Sequence, residues 1–277
     1  MARIIQGFGI ARTDIDTVFQ RVSFTSREAE ALASRSEVVR ILPDVNVVKI
    51  GGQSIMDRGR AAVYPLIEEI VEARPRHKML IGLGGGTRAR HAYTLALDLE
   101  LPTGVLAKVG ITPSRQNARM LQMLLARHGG ILIEFDELVK LPLYFRLDCI
   151  PIMVGMPPNE YWEKPAATGR IPSNRTDSGV YLSAEFLGAR SCLFVKDEKG
   201  LYTADPKKDR SARFIDRIHA RELLELDLGD LVIERVVLEN LLHAKTMRQV
   251  QILNGLEPGN LRRALDGEHV GTIIYAD

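Results

Sequence analysis

Two apolar, β-branched runs in this chain stop at glycines and give way at once to helical spacing. Val45 to Ile50 runs into Gly51-Gly52, and Met79 to Leu83 runs into Gly84-Gly85-Gly86. A short apolar run without alternation is the mark of a strand buried on both faces. A helix that follows such a strand and leads to another crosses back over the sheet, so the strands pair in parallel. Each junction also aims unpaired backbone N–H groups and the positive end of a helix at whatever lies over the strand ends. That geometry suits anions.

The alternation continues along the chain. Asp57 to Ala73 sets Ala62, Val63, Leu66, Ile67, Ile70 and Val71 at helical spacing and ends before Pro75. Residues 88–98 and 113–128 are expected as helices, the second with Met120, Leu121, Leu124 and Leu125 on one face and Gly129 as its stop. Strands are expected at Ile131–Phe135 and Ile150–Val154. Met156 to Arg175 breaks the pattern with four prolines, the only tryptophan and no period. A long aperiodic stretch of that kind is uncommon unless it is functional. Beyond it come a helix at Thr176–Leu187, a strand at Ser191–Lys196, and helices at Arg221–Leu226 and Val237–Ala244. Gln249–Leu253 (strand), Leu261–Leu265 (helix) and Val270–Ile274 (strand) complete the series. Residues 45–277 are thus expected to form one α/β domain with helices on both faces of the sheet. Residues 1–44 lack a strand period and read as an N-terminal arm with a helix from Ser26 to Val39, closed before Pro43. Docking on a neighbour and a mobile tail both remain open for it.

Composition excludes several classes. A net charge of +2 on 277 residues leaves no basic excess for a nucleic-acid surface. Cys149 and Cys192 form no CxxC, so neither a zinc site nor a disulfide framework is indicated. No apolar stretch approaches a membrane span, and the run at the N-terminus is too short for a signal peptide, which makes the cytoplasm the expected compartment.

The candidate site residues carry two readings each. Lys49-Ile50-Gly51-Gly52 is a phosphate cradle with a neutralising lysine, or a strand-ending lysine before a tight turn. It lacks the spacing of a Walker A loop. Gly84-Gly85-Gly86 costs backbone entropy, and Arg88, Arg90 and His91 open the following helix where cations are unfavourable unless an anion offsets them. Asp177 in Thr176-Asp177-Ser178-Gly179 is an N-cap, or a buried carboxylate orienting two lysines toward a phosphoryl group. Tyr202 can pack beside a purine, while Asp205-Pro206 marks a turn in either reading. His128 ends a helix, where a cation is favoured by the dipole alone.

The order KxGG, GGG, TDSG, VKDxxGLYTADP resembles the amino-acid kinase superfamily in its uridylate-kinase-like branch. The segments VVKIGGQSIMDRGRAAVYPL, GTRARHAYTLALDLELPTGVLA, GMPPNEYW and NGLEPGNLRRALDGEHVGTII resemble the molybdenum storage proteins of β type. The resemblance implies an open, mostly parallel sheet sandwiched between helices, with ATP and Mg2+ across the carboxyl ends of the strands. It implies a hexameric cage, homomeric or shared with an α-type subunit, that uses ATP hydrolysis to load molybdate or tungstate as polynuclear oxide clusters. By motif match Lys49 contacts transferred phosphate and Asp177 organises the basic residues. Gly51, Gly52, Gly84, Gly85 and Gly86 line the phosphates, Arg88 and Arg90 flank them, and Lys196, Asp197, Tyr202 and Asp205 surround the nucleotide. Few histidines are available to hold oxometalate, and the resemblance implies His128 as the one best placed for it. The uridylate-kinase segments DxxGM and GTGNPFFTTD are replaced here by Gly110-Ile111-Thr112-Pro113-Ser114-Arg115-Gln116-Asn117 and by Arg170-Ile171-Pro172-Ser173-Asn174-Arg175. The alternative is a phosphotransferase acting on a nucleoside monophosphate or other small molecule.

Overall fold

The computed structural model describes residues 3–7, 10–14, 26–34, 37–158, 163 and 171–277. Tyr161 and Trp162, in the aperiodic stretch, lie outside the described residues. Two compact units are present, Met1–Val39 and Arg40–Asp277. In the first, β1 (Arg3–Gly7) pairs antiparallel with β2 (Ile10–Asp14), strands that the sequence pattern does not reveal. Its helix α1 is shorter than expected, Arg27–Ser34, and opens with the Ser26 Oγ accepting from the Ala29 N–H at 3.1 Å.

The second unit is built on an eight-stranded sheet in the order β10-β12-β11-β7-β3-β4-β6-β5. The members are β3 (Val45–Ile50), β4 (Lys78–Leu83), β5 (Gly130–Ile133), β6 (Ile150–Val154), β7 (Ser191–Lys196), β10 (Arg217–His219), β11 (Gln249–Asn254) and β12 (Thr272–Tyr275). From β5 through β11 neighbours are parallel, and β12 runs against β11. Chain order steps from β3 to β4 on one side and returns with β7 on the other, so a crevice opens at the carboxyl end of β3. A small hairpin, β8 (Leu201–Tyr202) with β9 (Phe214–Ile215), follows β7.

Alternation along the strands divides the core in two. Val45, Val47, Cys192 and Phe194 face a layer containing α6 (Thr176–Leu187), α7 (Ala220–Glu225) and α8 (Arg235–Leu241). Val48, Ile50, Leu193 and Val195 face α2 (Arg60–Ala73), α4 (Thr103–Leu125) and α9 (Asn260–Leu265). Lys49 and Lys196 continue the first set, so strand periodicity sends both side chains to the face that α6 covers.

The expected helix over 57–73 divides at Gly59, whose φ of 70° separates a 3-10 turn at Met56–Arg58 from α2. The helix expected from 113 begins ten residues earlier, at Thr103, and carries Pro113 in its interior. Proline is a strong stop signal in sequence, yet Ala107, Gly110, Ile111, Ser114, Asn117, Ala118, Leu121 and Leu125 keep one buried stripe through it. Met120 and Leu124, expected in that stripe, are exposed. The short helix α5 (Leu141–Arg146), entered through a 3-10 segment at Phe135–Lys140, lies between β5 and β6 and is absent from the sequence pattern. Helix α3 (Gly86–Asp98) starts on the third glycine of its turn, at φ 68°.

Candidate functional site

A cleft of about 720 Å³ lies over the carboxyl ends of β7, β3, β4 and β6. Its lining includes Lys49, Gly51, Gly52, Gly84, Gly85, Gly86, Arg90, Lys196, Asp197, Tyr202 and Asp205, eleven of the residues singled out from sequence.

At its floor the Lys49 Nζ lies 2.5 Å from the Asp177 Oδ1, and the Lys196 Nζ lies 3.0 Å from the Oδ2. Lys49 and Asp177 are 4% and 5% exposed, so neither ion relies on bulk water. Burial pushes the Asp177 carboxyl up, but the ammonium groups of Lys196 and Lys49 outweigh it and hold the group well below the usual carboxylate range. Burial, assisted by Lys49 and opposed by Asp177, brings Lys196 down to about 8. Two cations sharing one anion leave a net positive floor, which is what an incoming phosphate needs.

The N-cap reading of Asp177 does not hold. Its side chain serves the lysines, and the donors at the start of α6 go to Glu234, which accepts from the Arg175, Asp177 and Ser178 N–H groups at 3.0 Å each. Glu234 is buried and nearly 60 residues distant in sequence, so no local signal marks it.

The two glycine turns pack backbone to backbone. A Cβ on Gly52 would fall 2.1 Å from the Gly86 nitrogen, and one on Gly84 would fall 2.8 Å from the Gly52 nitrogen. The glycines therefore have a packing reason besides any ligand. From beneath, the Ser114 Oγ donates to the Leu83 carbonyl at 2.5 Å and the Asn117 Nδ2 to the Gly84 carbonyl at 2.6 Å. Both belong to the buried stripe of α4, where two polar residues among apolar ones were the available sequence signal.

The start of α3 does not depend on a bound ligand for its anion. The Asp57 carboxylate accepts from the Thr87 N–H at 2.5 Å, so the chain supplies its own anion there. Arg88 turns to α4, where its guanidinium donates to Gln116 at 3.0 Å and to Asn117, and it does not line the cleft. Arg115 pairs with Glu134 and His91 is exposed; neither lines the cleft.

On the β7 side Asp197 accepts from the Arg58 Nη2 at 2.5 Å and from the Lys207 Nζ at 3.4 Å. Tyr202 stands edge-on to Phe214, with ring centroids 5.5 Å apart, and presents its other side to the cleft. Asp205 takes the Lys207 N–H at 2.9 Å and closes a turn. Asp230, Leu231 and Val232 complete this end. Arg58, Tyr93, Met156, Asp230, Leu231, Val232 and Glu234 are lining residues that no glycine-rich or charged motif marks, while Gly110 and Arg175 come from the two segments that replace the uridylate-kinase motifs.

The groups present fit a nucleotide triphosphate: closely packed backbone turns, a net cationic floor and an aromatic side chain. Asp57, Asp197 and Glu234 are already engaged by chain donors, so Mg2+ would come on the phosphates with most of its waters retained. His128 sits just before β5, at the amino end of that edge strand and so away from the carboxyl-end cleft, with its Nε2 accepting from the Arg127 Nε at 2.9 Å. Among the described residues no three His, Cys, Asp or Glu side chains cluster as metal ligands do.

Residues 44–254 match the amino acid kinase family. The chain is 50% identical over 263 residues to molybdenum storage protein subunit beta of Azotobacter vinelandii, covering 95% of this chain and 97% of that one. It is 25% identical over 235 residues to the uridylate kinase of Archaeoglobus fulgidus, with coverage of 82% and 98%. The crystal structure of an Archaeoglobus fulgidus uridylate kinase superposes with a TM-score of 0.65 over 83% of this chain and 99% of its own. A UMP kinase from Ureaplasma parvum, 20% identical, shares the fold at a TM-score of 0.65, covering 84% of this chain and 99% of its own.

Proposed function

This chain belongs to the amino acid kinase family, and from that premise we propose that it is a subunit of a molybdenum or tungsten storage assembly. In this reading it binds ATP and uses its hydrolysis to load molybdate as polynuclear oxide clusters inside a hexameric cage in the cytoplasm. The cage is homomeric or shared with an α-type subunit. The observation that carries the nucleotide part is the Lys49–Asp177–Lys196 ion triad on the floor of the cleft. Kinship with molybdenum storage protein subunit beta supports the cargo.

Bound ATP would supply the phosphoanhydride whose cleavage drives loading. Lys49 and Lys196 neutralise charge on the phosphate oxygens, and Asp177 keeps both ammonium groups aimed at them. The backbone of Gly51–Gly52 and Gly84–Gly86 lets the phosphates approach closely. Tyr202 packs against the purine, while Asp197 and Asp205 order the loops around it. A role of His128 in holding oxometalate would be exercised at the amino end of β5, away from the nucleotide.

Kinship with uridylate kinases favours a second reading, a phosphotransferase acting on a nucleoside monophosphate. A coupled assay of ADP release from ATP and Mg2+, run alone, with molybdate and with UMP, separates the two. The storage reading expects release stimulated by molybdate and indifferent to UMP. Release that depends on UMP, with UDP as a product, supports the kinase instead.

A further inference from the structure

The carboxylate that caps α6 is borrowed from a loop that also lines the cleft. Arg175, at the N-cap position of α6, carries a guanidinium and so has no side-chain acceptor for the helix's first N–H groups. Glu234 supplies the acceptor from the start of α8, where an acid would ordinarily hold its own helix. One of its bonds, at 3.0 Å, is to the N–H of Asp177, the residue whose side chain holds both floor lysines. The next residue closes the loop on itself. The Arg235 Nη2 donates to the Leu228 carbonyl at 3.1 Å and pairs with the Asp227 Oδ1 at 3.2 Å. Between these closures Leu231 and Val232, half-buried, line the cleft, and the buried Ile233 anchors the loop in the core. A cap made locally depends on one side chain, whereas this one is only as firm as the loop that carries it. A ligand that covers Leu231 and Val232 therefore steadies Glu234 as well. Phosphate has no apolar surface with which to do so, and a nucleobase has.

Resting on the ATP-hydrolysis reading above, we infer that Glu234 is a positioning residue that couples a nucleobase lying on Leu231 and Val232 to the placement of Asp177 and the two lysines. In hydrolysis water adds to the γ-phosphorus and the bond to the bridging oxygen breaks. Its electron pair leaves with ADP, and a proton passes to solvent. Charge growing on the phosphate oxygens makes the rate depend on where the ammonium groups stand. Base contacts made far from that bond thereby serve orientation at it, and they raise kcat as well as affinity. Bare tripolyphosphate undergoes the same cleavage but leaves the apolar wall uncovered, so it lacks this contribution.

The test is a double-mutant cycle between the two ends of the coupling, read as phosphate release by phosphorus NMR. Wild type, Leu231→Ala, Glu234→Gln and the double variant are assayed as the full chain in its native assembly, with Mg2+ and molybdate. ATP and tripolyphosphate are the separate substrates. Wild type is expected to turn over ATP with the higher kcat. Leu231→Ala lowers kcat for ATP severalfold, and by more than it lowers kcat for tripolyphosphate. Glu234→Gln lowers kcat for ATP by about tenfold, the scale of a lost hydrogen bond to a charged group, and abolishes the further effect of Leu231→Ala. If Glu234→Gln does not fold, Arg235→Met, which opens the loop, takes its place in the cycle. A purely structural cap gives independent, multiplying losses in the double variant, equal on both substrates. That result overturns the coupling and leaves the hydrolysis reading intact. Equal kcat on the two substrates in wild type does the same, as does a Leu231→Ala variant that raises KM for ATP with kcat unchanged. Wild type that hydrolyses neither substrate overturns both.

Discussion

Lys49 and Lys196 stand on adjacent parallel strands, Lys49 opposite Phe194 in the register and Lys196 two residues beyond, so both project to the same side and reach opposite oxygens of Asp177. Helix α6 supplies that carboxylate from its first turn, and Glu234 holds the turn in place. The arrangement presents two fixed ammonium groups where the glycine turns converge, which is the physical content of the nucleotide reading.

Removing one ammonium group should be felt by the ligand. Lys49→Met deletes a charge-assisted hydrogen bond to phosphate and is expected to weaken ATP by about 1.5–3 kcal/mol. Calorimetry with Mg-ATP checks it, and unchanged affinity together with unchanged hydrolysis would remove Lys49 from the site.

The depressed value of Lys196 gives a pH signature. Its ammonium loses the proton near pH 8, so ATP affinity should decline as pH rises through that value. Stability moves the other way. An unfolded lysine holds its proton up to about 10.5, so between 8 and 10.5 the unfolded chain binds more protons and this group's contribution to stability rises with pH. In Lys196→Met the affinity should be lower and flat across the same interval, as read by titrations at stepped pH.

Glu234 is expected to matter more than its position outside any motif suggests. Glu234→Gln keeps the shape but leaves one fewer acceptor oxygen for three buried N–H groups, a cost of about 1–3 kcal/mol. Thermal unfolding should fall by several degrees, and ATP hydrolysis should fall with it as Asp177 loses its fixed position. A melting temperature equal to wild type would show that water or another acceptor caps α6.

What the sequence made legible follows from its periodicities. The strands Val45–Ile50, Ile150–Val154 and Ser191–Lys196 and the helix Thr176–Leu187 have the expected bounds, because each combines an unbroken pattern with clear stops. Lys49 and Asp177 were identifiable because a lysine at a strand end and an acid in a helix's first turn stand out against apolar neighbours. Misreadings arose where one residue type has two meanings. Pro113 reads as a stop but lies inside α4, and Arg88 reads as a ligand cation but serves the α3–α4 contact. The residues missed altogether, Asp57, Tyr93 and Glu234, act on partners brought close only by the fold.

Assembly is a further expectation. Leu95 of α3, Leu99 just beyond it, Met123 of α4 and Leu143 of α5 are more than half exposed, and Leu147 just beyond α5 is 64% exposed. Where exposed apolar side chains form a contiguous patch, they mark an interface. Light scattering should return a hexamer, and Leu99→Glu with Met123→Glu should reduce it. A wild-type mass equal to the single 30.9 kDa chain would contradict the cage.

Metal retained per chain addresses the central claim most directly. The purified protein is incubated with molybdate and Mg2+, with and without ATP, desalted, and analysed for molybdenum. The storage account predicts molybdenum in excess of the chains, present only when ATP was supplied and lost in Lys49→Met. Sub-stoichiometric metal under every condition, with UDP formed when UMP is added, would contradict it.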